Sequence, residues 1–449
     1  MANLGSPRAL SRRELLVGAG TSAGIVLGGL REAEAACLRV SGLPSVRARM
    51  ADGLASLVGV NTHVNYSGTV YDQAFYSIVK PRLIELGVRH IRDNPGADTN
   101  ATVKSRYVEL ARAGIRLTMV TWNSQDFDLD YVKSLNGSGT SVVEAVEPPN
   151  ERDNAWGSSW PQQMRSYMLK MYPRYKADQA TKGITVLGPS FAKTRDSAPL
   201  LRSVFADAAS YFDCGNTHDY SGCNPEGSTG GGWGLTLADA IGRQRFGSTK
   251  AVWATENGYK MSGAQRGHST VTQRAAAKYL PRQFVCHLVN NSPRLFIYQL
   301  MNHDEEDFGL LDRAGNRRQQ FHAVKNFIAL FKDPGSAFTT GQLSYKLSGS
   351  LTNVRQLVAQ RRDGRFYLIL WQPLRSSVDA PSDTQTDDIE PPRASVTITL
   401  GTKIKSARLF EPSFSGNPLR TYTSTDALSI LSVQVPDHLL VVELTPVVC

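Results

Sequence analysis

Two short apolar runs in this chain each end in a glutamate. Val142 to Glu151 (VVEAVEPPNE) leads through β-branched residues to a proline pair and then to Asn150 and Glu151. Ala251 to Tyr259 (AVWATENGY) brings Glu256 to the end of a similar run, where Asn257-Gly258 turns the chain. A proline pair cannot continue a β-ladder, so the first run stops before Asn150. Two carboxylates held at strand ends suit glycosidic bond cleavage. One protonates the leaving oxygen while the other attacks or stabilises an oxocarbenium-like centre. A single such glutamate is more often a solvated loop group; the pair is what points to chemistry.

The elements that must bring the pair together run from residue 57 to about 331. Eight strand candidates alternate there with longer helical stretches: Leu57 to His63, Val88 to Asp93, Arg116 to Trp122, Val142 to Glu147, Ile184 to Ser190, Phe212 to Tyr220, Lys250 to Glu256 and Leu295 to Leu300. Apolar spacings such as Phe75, Ile78, Val79, Leu83, Leu86 and Met164, Tyr167, Met168, Met171, Tyr172 have the helical period. Eight such units predict a closed (β/α)8 TIM barrel, whose site lies at the C-terminal ends of the strands. No Gly-rich phosphate fingerprint follows the first strand, which argues against a dinucleotide fold. At the strand ends stand Asn61, His63, Arg92, Asp93, Trp122, Asn123, Asn150, Glu151, Ser190, His218, Tyr220, Glu256, Tyr298, Gln299 and Asn302. The set is rich in groups that bond hydroxyls and in rings that stack on sugar faces.

These motifs resemble those of the clan A retaining glycoside hydrolases. The resemblance rests on Asn150-Glu151 at the fourth strand, His218-Asp219-Tyr220 at the sixth, Ala254-Thr255-Glu256-Asn257 at the seventh and Val88 to Asp93 (VRHIRD) at the second. It covers about 57 to 331, and Tyr298 to Asp312 resembles the eighth strand and its loop, with Tyr298-Gln299 where many clan members have a Trp. The resemblance implies that Glu151 is the acid/base, with Asn150 beside it, and Glu256 the nucleophile. It implies that Arg92 and Tyr220 position the nucleophile, that His218 lines the same subsite, and that the linkage cut is β. Trp122, Tyr298 and Gln299 are further candidates for binding substrate. Chemistry asks the same of the pair: Glu256 must be ionised, which a nearby cation favours, and Glu151 must begin protonated.

Beyond about Pro334 the pattern changes to alternating strands, Arg365 to Trp371, Ala394 to Leu400, Ala407 to Phe410 and Leu439 to Leu444, split by polar loops such as Ser376 to Pro392. This predicts a small antiparallel β-sandwich after the barrel. The expected division is 1–35 an export signal, 36–56 an N-terminal segment able to add a strand to the sandwich, 57–333 the barrel and 334–449 the sandwich. Arg12-Arg13, a Gly- and Ala-rich apolar run to Leu30 and Ala33-Glu34-Ala35 have the form of a twin-arginine signal. That implies the Tat export machinery as a partner of the precursor, a periplasmic or extracellular site and an oxidising compartment. Cys214 with Cys223, and Cys37 with Cys449, are then expected disulfides, with Cys286 left over in a helix.

Formal net charge is +10, and the signal segment, with four Arg against three Glu, leaves about +9 on the remainder. Such an excess favours an acidic partner, and an anionic polysaccharide fits an exported enzyme. No basic cluster with interleaved aromatics suggests nucleic acid. No apolar run past the signal is long enough to span a bilayer. His303 to Asp307 lacks calcium-loop spacing, so no metal and no cofactor are expected. Gly227 to Gly234, with Trp233, is expected to form a loop over the cleft. The function expected is an exported retaining hydrolase of β-linked polysaccharide or oligosaccharide. The rivals are a transglycosylase using the same glutamates, a non-catalytic carbohydrate-binding or cell-surface protein on a degenerate barrel, and a polysaccharide lyase.

Overall fold

The computed structural model describes residues 42–94, 100–122, 125–221, 224–226, 235–261, 269–303, 307–378 and 386–447. Two short strands, β1 (Ser45–Arg47) and β2 (Arg49–Met50), precede the barrel. Its eight strands follow: β3 (Val58–Asn61), β4 (His90–Asp93), β5 (Arg116–Val120), β6 (Val143–Glu147), β7 (Thr185–Val186), β8 (Gly215–His218), β9 (Val252–Asn257) and β10 (Leu295–Ile297). All eight expected strands are present, most of them trimmed at one or both ends, while β9 runs one residue further than expected, to Asn257.

The sheet runs β7-β6-β5-β4-β3-β10-β9-β8 with every pair parallel. A parallel bridge between Leu187 and Cys214 joins its two edges, with the Gly188 N–H donating to the Cys214 carbonyl at 2.8 Å. The ring therefore closes, although β7 is short because Gly188-Pro189 ends it. Inside, Ala145, Leu187, Trp253 and Phe296 pack in the floor beneath the site. Gly59 leaves room for that floor, since a Cβ there would meet the Phe296 ring at 2.5 Å.

Helices cover the outside of the ring with their apolar faces inward. Several begin at side-chain caps: Asn100 accepts from the Val103 N–H, Thr236 from Asp239 and Thr272 from Ala275. In the helix Trp160–Ala177, Met164, Tyr167, Met168 and Met171 are buried, as their spacing requires.

The second layer comprises β11 (Gln342–Gly349), β12 (Arg355–Gln360), β13 (Phe366–Trp371), β14 (Ala394–Phe410), β15 (Arg420–Val435) and β16 (Leu440–Pro446). Strand β14 pairs with β11 over Val396 to Leu400 and with β16 over Ile404 to Phe410, across a break in register. One long strand thus passes between two layers, the corner device of an antiparallel sandwich. Strand β1 adds to β11 antiparallel and β2 to β12 parallel. The sandwich is riveted to the barrel by buried charge: Arg282 Nε lies 2.6 Å from Glu226, whose other oxygen accepts from Trp371 Nε1 at 2.9 Å.

Cys214 is a free thiol packed against the barrel floor, and Cys223, its expected partner, lies outside the described residues. Cys286 is also free, in the helix Gln273–Val289. Cys37, Cys223, Cys449, the export signal, Asn123, Asp304 to Glu306 and the Gly227 to Gly234 loop with Trp233 lie outside the described residues. Among the described residues no helix is long and apolar enough to cross a membrane.

Candidate active site

Glu256 is the penultimate residue of β9, at the barrel mouth, and is buried. Its Oε1 accepts from Arg92 Nη1 at 2.8 Å and its Oε2 from the Tyr220 hydroxyl at 2.8 Å. Arg92, on β4, is held on every edge. Nε donates to Glu147 at 2.7 Å, Nη1 also to Asn61 at 2.9 Å, and Nη2 to Asn150 at 2.6 Å. Burial alone would push the Glu256 carboxyl up, but the charges of His218 and Arg92 and the bonds from Tyr220 and Arg92 hold it below the ordinary carboxylate value. Glu256 is therefore held as an anion.

Glu151 stands in the turn after β6, with a left-handed φ of 45° that is costly for a residue with a Cβ. The helical turn Arg152–Ala155 starts there. Its Oε1 is 2.6 Å from His218 Nδ1, and the same nitrogen is 3.6 Å from Glu256 Oε2. One oxygen of Glu151, one nitrogen of His218 and one oxygen of Glu256 all lie within 4.8 Å of one another. Burial opposes charge on His218, but Glu256 and the bond to Glu151 outweigh it and raise the imidazole above its usual value.

A chain of hydrogen bonds fixes where protons sit. Glu147 Oε2 accepts from Asn216 Nδ2 at 2.8 Å, which orients that amide. Asn216 Oδ1 then accepts from the Thr255 hydroxyl at 2.7 Å. Thr255 Oγ1, having donated, accepts from His218 Nε2–H at 3.2 Å. With Nε2 protonated, the short contact between Nδ1 and Glu151 holds a single shared proton, on the imidazole or on the carboxyl.

The pocket at this point has a volume of about 330 Å³. Of the residues expected from the sequence, Arg92, Asn150, Glu151, Tyr220, Glu256 and Tyr298 line it. His218 lies behind, bonded to Glu151 and within 3.6 Å of Glu256. Gln299 is wholly buried, its carbonyl 3.0 Å from His303 Nδ1, so it supports a wall rather than facing ligand. Trp122 lies in a separate groove beside the pocket. Tyr66 and Phe308 line the pocket without having been expected; His63, named among the strand ends, lines it too, stacked on Tyr66 with centroids 4.6 Å apart. Burial and the facing His303 lower His63 to about 3, so it is a neutral ring. Asp93 accepts from the Thr62 hydroxyl and the Val64 N–H, anchoring the loop that carries His63. The supporting groups Glu147 and Thr255 carried one sequence signal, polar residues inside otherwise apolar strands, whereas Asn216 stands in the polar run Gly215–His218 and carried none.

Glu151, His218 and Glu256 offer three ligand atoms close enough for a cation. Each is already engaged, however, and Arg92 holds a positive charge 2.8 Å from Glu256. A metal ion there would break the His218–Glu151 and Tyr220–Glu256 bonds and sit beside the guanidinium's charge, so the arrangement favours proton sharing over metal binding. Asp307 is likewise taken up internally, by Asn302 and Arg318.

No family model and no curated protein matches this chain. Solved structures do. A glucosidase from Croceicoccus marinus superposes with a TM-score of 0.60 at 10% identity, over 91% of this chain and 98% of its own. A family 51 alpha-L-arabinofuranosidase from Bifidobacterium longum gives 0.56 at 14% identity, over 90% and 97%. A GH30 endoxylanase from Clostridium papyrosolvens gives 0.53 at 14%, over 90% and 98%. The fold, barrel and sandwich together, is one that glycoside hydrolases use; at these identities the likeness is of fold alone.

Proposed function

We propose that the protein is an exported glycoside hydrolase that cleaves β-linked glycans with retention of configuration. The observation that carries this reading is the approach of Glu151 and Glu256. Retaining enzymes hold their carboxyl groups about 5 to 5.5 Å apart, whereas inverting ones leave about 6.5 to 9.5 Å for a water. An oxygen of each carboxylate within 4.8 Å of the other supports the first class.

In the first step Glu256 attacks the anomeric carbon as Glu151 gives its proton to the departing oxygen. The carbon–oxygen bond breaks and a glycosyl ester forms on Glu256. In the second, Glu151 takes a proton from water, whose oxygen displaces Glu256 and restores both groups. His218 keeps the shared proton next to Glu151 at the start of the cycle. Asn150, whose carbonyl oxygen is taken by Arg92, turns its amide N–H groups to a sugar hydroxyl. A non-catalytic binding barrel has no use for two carboxylates supported in this way.

Export rests on Arg12-Arg13 and the apolar run after them. The test is a panel of β-linked polysaccharides incubated with the protein and with Glu256→Gln, the products sized and their initial anomeric form read by NMR. Sugars of retained configuration from the unsubstituted protein alone support the reading. Inverted product, or equal release by both proteins, overturns it, and products longer than the substrate would reveal transglycosylation.

A further inference from the structure

Beside the pocket lies a groove of about 440 Å³, walled by Trp122, Arg152, Trp156, Gln163 and Lys170. Arg152 is its unusual member. The guanidinium lies 4.0 Å from the Trp122 ring centroid and 5.0 Å from that of Trp156. The residue is 9% exposed, its Nε is buried without a hydrogen bond, and no carboxylate pairs with it among the described residues. Asp128 accepts the Trp122 N–H at 2.6 Å instead. Burying a cation without a counter-ion is costly, and indole faces recover only part of the loss. Trp122, half-exposed, keeps ring surface open to solvent.

The groove's position is equally specific. Arg152 directly follows Glu151, and Trp122 lies two residues beyond Val120, which lines the main pocket. Strands β5 and β6, which carry them, are four and three places from β9 in the closed ring. In-line attack by Glu256 expels the leaving group toward the opposite side, which is the side of Glu151 and this groove.

We propose that the groove receives the leaving-group end of the glycan and selects a sugar bearing an anionic substituent. A carboxylate or sulfate pairs with Arg152 and Lys170 while the ring stacks on Trp122. The proposal rests on the hydrolase reading for its direction, and it agrees in sign with a chain of net charge +10.

The test is equilibrium binding at low salt to the full chain carrying Glu256→Gln. The probes are a β-linked glucuronate tetrasaccharide, the β-linked glucose tetrasaccharide that matches it without charge, and the glucose form sulfated at its primary hydroxyls. At least one charged probe should bind roughly tenfold or more tighter than the neutral one, as a charge-assisted bond commonly supplies. Which of the two does so distinguishes carboxylate from sulfate. Arg152→Met should erase the preference without lowering Tm, because it removes an unpaired buried charge. Lys170→Ala, at an exposed helix position, should weaken the preference and its salt dependence. Equal affinity for all three probes, binding of none, or a preference untouched by Arg152→Met overturns the proposal. Incubating the unsubstituted protein with the same probes keeps the two readings apart. Charged probes bound but never cleaved sink the hydrolase and leave the groove, and cleavage without charge preference does the reverse.

Discussion

Arg92 reaches Glu256 at 2.8 Å while its Nε edge is buried against Glu147 at 2.7 Å. One cation thus serves the carboxylate proposed to react and a permanently buried one. In the proposed cycle Glu256 loses its charge when the glycosyl ester forms, but Arg92 keeps a partner in Glu147. The guanidinium is never left as an unpaired ion in a dry site, and it need not move between the two steps.

Removing Arg92 alone should therefore damage the fold as well as the site. Arg92→Leu orphans Glu147, and breaking one side of a buried pair commonly costs about 3–5 kcal/mol. The double substitution Arg92→Leu with Glu147→Leu should recover much of that stability while staying inactive. Denaturant unfolding of the three proteins checks it, and equal loss in the single and double variants would show that the cost does not come from leaving Glu147 unpaired.

The two glutamates should fail differently. Glu256→Gln removes the attacking group and should abolish turnover on every substrate. Glu151→Gln removes acid assistance and should slow natural glycosides roughly 100-fold or more, with a smaller loss on aryl glycosides whose leaving groups depart unprotonated. Rates on a graded series of leaving groups separate the roles; identical losses across the series would contradict them.

The eight barrel strands and the two glutamates were legible because strand periodicity and a proline stop are local signals. Much of the site was not local. Nothing in the sequence near Glu147 says that β4 and β8 will turn Arg92 and Asn216 onto it. Gln299 was expected to face ligand because it sits at a strand end, but burial in the closed ring turned it inward onto His303. Trp122 was grouped with the central pocket for the same reason and instead faces the neighbouring groove. Strand β15 escaped notice since one of its faces is solvated, as in RTYTSTDALSILSVQV, and its residues are mostly polar.

Cys214 offers a check on the barrel itself. Its thiol is raised by burial and by the nearby Asp213, so alkylation of the folded protein at neutral pH should be slow and should become fast on unfolding. Peptide maps without reductant should recover it unlinked. A Cys214–Cys223 peptide would mean that the floor of the ring is built otherwise.

The shared proton between His218 and Glu151 predicts the pH dependence. Glu256 must be ionised to attack, and since it is held below the ordinary carboxylate value of 4.5, activity should persist below that pH before falling on the acid side. On the basic side activity falls when the pair loses its proton. His218 is raised above 6.5, so this limb should lie above that value and belong to the pair rather than to either residue. Thr255→Val tests the cause. It keeps the side-chain shape but removes the oxygen that accepts Nε2–H, so the protonated imidazole loses support and the basic limb should move to lower pH. Asn216, one bond further back, should act in the same direction when changed to Leu, because Thr255 is then free to turn its hydroxyl hydrogen toward His218. A purely structural role for Thr255 would lower kcat evenly at every pH and leave both limbs in place, and that result would remove the hydrogen-bond chain from the mechanism.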